Sequence, residues 1–185
     1  MELLSPHEAI VWWEFQHAKS TSVIASEYER SGSVPQYVLN LLGESDRKVA
    51  FKDAGYVSRV LNRARKKIAK ALTEHATSHR LDIESLLDYK GLLIGFDYQA
   101  NAQVYIVFTM DLGVIVWYAH DSYAGKLCPG CPKEAECRET LETIKKEYDI
   151  KLRPDEKQLH MTKQSIVIFN KLAAKEDPRY KRKEK

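Results

Sequence analysis

Near residue 80 the apolar residues of this chain change their period, and that change constrains the fold more than any other feature. Upstream, apolar positions recur three and four apart, the spacing of helices that bury one stripe. Downstream come Leu92–Phe96, Val104–Phe108 and Val114–Tyr118, three nearly continuous apolar runs. The turns Gln99-Ala100-Asn101 and Asp111-Leu112-Gly113 separate them. Strand-length runs divided by short turns predict an antiparallel meander whose middle strand is covered on both faces. Two later helical stretches, roughly Lys133–Tyr148 and Asp155–Ala174, are available to cover it. The expected class is therefore α+β: a helical domain at 1–79, a sheet-and-helix domain at 80–178, and a basic tail at 179–185.

Composition narrows the partners rather than the fold. The 185 residues suffice for one large domain or two small ones, and 30% charged with 44% hydrophobic residues is ordinary soluble globular composition. A net charge of +3 sets up no global field for a polyanion, so the distribution of charge has to carry that argument. No apolar run approaches bilayer length, and MELLSPHEAI lacks the basic-then-apolar pattern of a signal peptide. The expectation is a cytoplasmic protein with no membrane partner.

The helical half carries its own punctuation. Ser5-Pro6-His7-Glu8 supplies a capping serine, a proline at the first helical position and the acidic partner of a capping box. That first helix puts Ile10 and Trp13 on one face. A second, after Ser20-Thr21-Ser22, carries Val23, Ile24, Ala25 and Tyr28. Ser31-Gly32-Ser33 breaks the chain, and a third helix spans Pro35 to Leu42 and closes at Gly43. After the polar stretch Thr77 to Arg80, a short helix is expected around Ile83–Leu87.

Between these halves lies the longest helix, capped by Asp53 and running to about His79. Its apolar positions Val57, Leu61, Ala64, Ile68, Ala71 and His75 alternate four and three apart, a narrow seam for another helix. The seam packs on the chain's own helices or pairs two chains, and a homodimer is the expectation, since helix-turn-helix proteins read palindromic sites that way. Other surfaces carry Arg59, Arg63, Arg65, Lys66, Lys67 and Lys70 with no acid between Arg59 and Lys70. A solvated face is the ordinary use of such a run. Here Ser58, Arg59 and Asn62 on the first turns are side chains that suit base edges, Arg for guanine and Asn for adenine. Arg63, Arg65, Lys66 and Lys67 suit phosphates, and Gly55 lets backbone approach one closely. Double-stranded DNA is the expected partner.

Leu4-Ser5-Pro6-His7-Glu8-Ala9, then Ile24-Ala25, then Tyr56-Val57-Ser58-Arg59-Val60-Leu61-Asn62-Arg63-Ala64-Arg65-Lys66-Lys67-Ile68 resembles the helix-turn-helix of archaeal Tfx-type transcriptional regulators. That module is itself similar to sigma-factor region 4 and LuxR-type domains. The resemblance covers at most the first 75 or so residues. It implies a recognition helix starting near Ala54, with Ser58, Arg59 and Asn62 toward the major groove. Ile24, Ala25, Val57 and Leu61 would then lie in the core. The chain departs from that group in one respect: Glu29 to Lys52 intervenes between the second helix and the reader. Either this is an insertion containing the Pro35–Leu42 helix, or that apolar, uncharged helix is the reader itself.

The 3 cysteines, Cys128, Cys131 and Cys137, fall in the string CPGCPKEAEC. Such clustering is the pattern of metal ligands, and without an export signal disulfides are not the expected use. Zinc takes four ligands in a closed site, so a fourth is needed. His120 is preferred, with His160 and Asp121 as alternatives. Three reduced thiols without metal, and an iron–sulfur cluster with one non-cysteine ligand, are the other readings. The ferredoxin spacing is absent, so zinc leads. The basic tail Arg179–Lys185 is solubilising charge or additional phosphate contact.

The function expected is a sequence-specific DNA-binding transcriptional regulator with a metal-stabilised second domain for sensing or dimerisation. Its rivals are an iron–sulfur redox sensor, an RNA-binding module and a nucleic-acid-associated enzyme catalysing in its β-rich half. No nucleotide-binding glycine loop, HExxH helix or nucleophile elbow occurs, so no enzyme is expected.

Overall fold

The computed structural model describes residues 3–120 and 128–178. In chain order these form α1 (Pro6–Gln16), α2 (Thr21–Glu27), β1 (Gly32–Ser33), α3 (Gln36–Leu42), β2 (Lys48–Val49) and α4 (Ala54–Ser78). There follow β3 (Asp82–Leu87), β4 (Leu92–Asp97), β5 (Ala102–Thr109), β6 (Gly113–Tyr118), α5 (Glu134–Glu147), α6 (Pro154–Lys157) and α7 (Met161–Ala174). The α+β class stands. The chain divides into two compact units between Ile68 and Ala69, a point inside α4. Among the described residues no helix is long and apolar enough to cross a membrane. Asp121 and the basic tail Arg179–Lys185 lie outside the described residues.

In the first unit the local signals act as read. The Ser5 N–H donates to Glu8 Oε2 at 2.8 Å and the Glu8 N–H donates to Ser5 Oγ at 3.5 Å, a reciprocal box at the start of α1. Ser20 caps α2 through the Val23 N–H, and α3 ends at Gly43 with φ +69°. Ile24, Val57 and Leu61 are buried, while Ala25 is half-buried.

The Glu29–Lys52 excursion closes on itself. Gly32 pairs with Val49 and Ser33 with Lys48, and the Phe51 N–H donates to the Tyr28 carbonyl at 2.9 Å. The chain therefore leaves α2 and returns to the same place before α4 begins. Phe51, 1% exposed, fixes that point. Its ring centroid lies 5.0 Å from Tyr28, 5.3 Å from His7 and 6.0 Å from Tyr56. A Cβ at position 32 would fall 2.3 Å from Tyr28 Cδ1, so only glycine lets β1 cross that ring.

The apolar stripe of α4 departs from the expected seam. Val57, Val60, Leu61, Ala64, Ile68, Leu72 and Ala76 are buried, and Ala71 and His75 are only half-buried. A straight helix drifts about 20° per heptad against a strict seven-residue repeat. The buried stripe follows the helix's own 3.6 period and slips one residue by its last turns.

The second unit is a four-stranded antiparallel sheet in the order β3-β4-β5-β6. Leu93 faces Ile106, and Ile106 faces Val116 on the far side, so β5 is the fully covered strand. The expected helix at Ile83–Leu87 is instead the edge strand β3, paired to β4 with an irregularity between Ile83 and Ser85. Ile83, Leu86 and Leu87 have helical spacing, but edge pairing overrides it. The expected helix Asp155–Ala174 is two helices. Glu156 Oε2 lies 2.7 Å from Lys171 Nζ, residues that one straight helix would hold about 22 Å apart. The sheet is covered by α5 and α7: Phe169 stacks on Tyr105 at 4.4 Å, and the Tyr148 hydroxyl donates to the Phe108 carbonyl.

Candidate functional site

The first half of α4 presents two faces. Asp53 Oδ1 accepts the Tyr56 N–H at 2.7 Å, so the helix begins with its own cap already in place. Val57, Leu61, Ala64 and Ile68 point inward. Arg59, Arg63, Lys66 and Lys67 are exposed, with Ser58, Asn62 and Arg65 half-buried. The Arg59 guanidinium folds over the first turn, where a Cβ at Gly55 would lie 3.5 Å from its Nη1.

Lys67 and Arg63 share one buried partner, Glu8. Lys67 Nζ lies 2.7 Å from Glu8 Oε2, and Arg63 Nε lies 3.7 Å from Glu8 Oε1. The Glu8 side chain is only 3% exposed, against 58% for Arg63 and 45% for Lys67. Burial works to raise the Glu8 pKa, but the Lys67 ammonium and the Ser5 donors outweigh it and hold the carboxyl below its ordinary value. One ionised carboxylate thus ties α1 to α4, while the outer parts of both cations remain in water.

Arg47, which precedes β2, is a further cation of the first unit and stands 3.1 Å from Glu44 Oε1. The His7 pKa is lowered by burial first and then by the charges of Arg47 and Arg63. Both cations therefore act on the same patch of the first unit, where His7 Nδ1 is 2.9 Å from the Tyr56 hydroxyl. The run Arg47-Lys48 inside the excursion is the sequence signal for that cation. The rival helix α3 buries Val38 and Leu39 and stacks Tyr37 on Trp13 at 4.7 Å. Its exposed Gln36 and Asn40 hydrogen-bond each other at 2.8 Å, and it has no basic residue.

In the second unit, Cys128, Cys131 and Cys137 are half-buried, reduced thiols. Cys128–Gly130 form a single 3-10 turn in which the Cys131 N–H donates to the Cys128 carbonyl at 3.1 Å. Cys137 sits on the first turns of α5, its N–H donating to the Lys133 carbonyl at 3.0 Å. All three thiols line one cavity of about 100 Å³ together with His120, Trp117 and Lys133. Burial pushes the Cys137 thiol up, followed by its neighbours Cys131, Glu136 and Cys128. His160, the first residue before α7, is exposed and does not line that cavity. As the side chains stand, no three His, Cys, Asp or Glu among the described residues converge tightly enough to hold a metal ion.

No protein-family model, no curated protein and no solved structure matches this chain.

Proposed function

We propose that the chain is a sequence-specific DNA-binding regulator that reads a duplex with the leading half of α4. One observation carries the reading: the face of α4 opposite Val57, Leu61, Ala64 and Ile68 is cationic, with Arg59 exposed and Ser58 and Asn62 half-buried at its leading end. Arg59 reads guanine in the major groove, and Ser58 and Asn62 at the edge of the face reach neighbouring bases. Lys66, with Arg63, Lys67 and Arg65, lies along phosphates and sets the register. The closed Glu29–Lys52 excursion supports the assignment, because α4 then follows α2 in space as a reader follows its supporting helix. The chain acts as a binder rather than an enzyme, and a homodimer would match two half-sites. The second unit supplies sensing or assembly.

Selection of bound sequences from random duplex DNA tests this. An enriched motif is expected, and Arg59→Ala should abolish the preference while leaving weak, salt-sensitive binding. A single lost bidentate contact corresponds to about 1–3 kcal/mol, roughly ten- to a hundredfold. Equal binding to every duplex, or to RNA in preference, would remove the regulator reading.

A further inference from the structure

We propose that Cys128, Cys131, Cys137 and His120 close on one zinc ion in a tetrahedral Cys3His site that joins the end of β6 to the start of α5. The proposal lies wholly in the second unit and does not depend on the DNA-reading face of α4. Its basis is convergence: four ligand-type side chains from three separate segments line one small cavity, and His160 does not. Cys128 and Cys131 flank a 3-10 turn, which sets two thiols on one side of the backbone. The Lys133 N–H already donates to Cys131 Sγ at 3.4 Å, the kind of outer hydrogen bond that orients a ligating sulfur.

A site of this kind needs sulfur at about 2.3 Å and imidazole nitrogen at about 2.0 Å from the ion. Among the described residues no group of side chains already holds that arrangement, and the four side chains line a cavity of about 100 Å³. Rotation about the Cα–Cβ bonds of three half-buried side chains is the movement needed to close it. The reaction balances as Zn2+ plus three thiols and a neutral imidazole, giving a zinc tris-thiolate imidazole complex of net charge −1 and three protons released. Lys133 and Glu134 also line the cavity, and the Lys133 ammonium stands 3.5 Å from Glu136 Oε2. Three thiolates and one imidazole fill the coordination sphere, which suits zinc held for structure and leaves no open position for catalysis.

The test uses the full chain, purified without a histidine tag under reducing conditions, with its metal measured by mass spectrometry. One zinc per chain is expected. After chelation, Co2+ titration should produce the thiolate charge-transfer and strong visible bands of a tetrahedral sulfur-rich site. The same titration should quench Trp117 emission, a component missing from Trp117→Phe. His120→Ala should weaken zinc binding on the order of tenfold or more, since even outer-shell losses reach that size. A brown preparation with stoichiometric iron would overturn the zinc assignment. So would wild-type chain that neither retains zinc nor develops the cobalt spectrum. Unchanged affinity in His120→Ala would overturn the Cys3His set. Should His120→Ala fail to fold, the stripped wild-type titration still decides, and DNA binding by α4 is scored separately.

Discussion

The most buried carboxylate of each unit is held by different means, although Glu156 of the second unit, 7% exposed, pairs with Lys171 and Arg153 much as the acids of the first unit pair with cations. In the first, Glu8 and Glu14 are 3% and 5% exposed and are neutralised by surface cations, Lys67 and Arg63 for one and Lys19 for the other. In the second, Glu147 is 2% exposed and accepts the backbone N–H groups of Met110 at 2.7 Å and Asp111 at 3.0 Å. Backbone partners are fixed by the fold. Cationic side chains can exchange their partner for a phosphate. Glu147 therefore acts as a staple for the β5–β6 turn. The first unit's Glu8 draws on the same residues that the proposed interface uses, so its stability and its DNA affinity should be coupled.

The largest effect expected from this contrast is Glu147→Ala. It strands two amide donors at a turn where Met110 is 3% exposed, at a cost of about 3 kcal/mol. Urea denaturation followed in the second unit would measure it, and a loss below about 1 kcal/mol would mean that water replaces the carboxylate. Next is Gly32→Ala in the first unit. Its Cβ would meet the Tyr28 ring at 2.3 Å, and that ring is pinned by its hydroxyl donating to Glu14 at 2.7 Å. Overpacking at such a site costs about 2 kcal/mol, and the damage should appear as loosening of the α4 start rather than of the sheet. Amide exchange resolved by unit distinguishes the two outcomes.

What was legible in the sequence follows the same division between near and far partners. The Ser5–Glu8 box, the Asp53 cap, the Gly43 stop and the strands around Leu93, Ile106 and Val116 are local signals, and each operates where it was read. The edge strand at Ile83–Leu87 was misread because its apolar spacing is helical and only pairing with β4 decides it. The break before Met161 depends on Glu156 meeting Lys171 across a bend that local sequence does not announce. On the proposed interface, the basic residues of α4 were visible. Glu8 meeting Lys67 across 59 positions was not, nor was the closure of the excursion at Tyr28 and Phe51. Among the thiols, the clustering was local and visible, whereas the placement of His120 on the same cavity as Cys128, Cys131 and Cys137 is a long-range feature.

Glu8→Gln sharpens the coupling directly. The Glu8 carboxyl is held below its ordinary pKa, so its stabilising contribution is complete above the unfolded value of about 4.3 and is lost as pH falls through the depressed folded value. The wild-type first unit should therefore lose stability on the acid side, and Glu8→Gln should flatten that limb. Near neutral pH the variant should cost about 1 kcal/mol in the first unit, since its partners are about half exposed. DNA binding should move the other way. With Lys67 and Arg63 released, the slope of log affinity against log salt should steepen by about one to two units. An unchanged slope would show that both cations already reach phosphate while holding Glu8, and the coupling would be gone.

The smallest effect expected is none at all, and it is the one that separates α4 from its neighbour. Asn40 on α3 is exposed and bonded to Gln36 within its own helix, so Asn40→Ala removes a surface pair of little energetic weight. If α4 is the reader, Asn40→Ala should leave both stability and the selected DNA motif as they were, while Arg59→Ala erases the motif. A changed motif with Asn40→Ala would transfer the reading role to α3. The cationic face of α4 would then be a backbone clamp beside it, since α3 has no basic residue of its own to hold a phosphate.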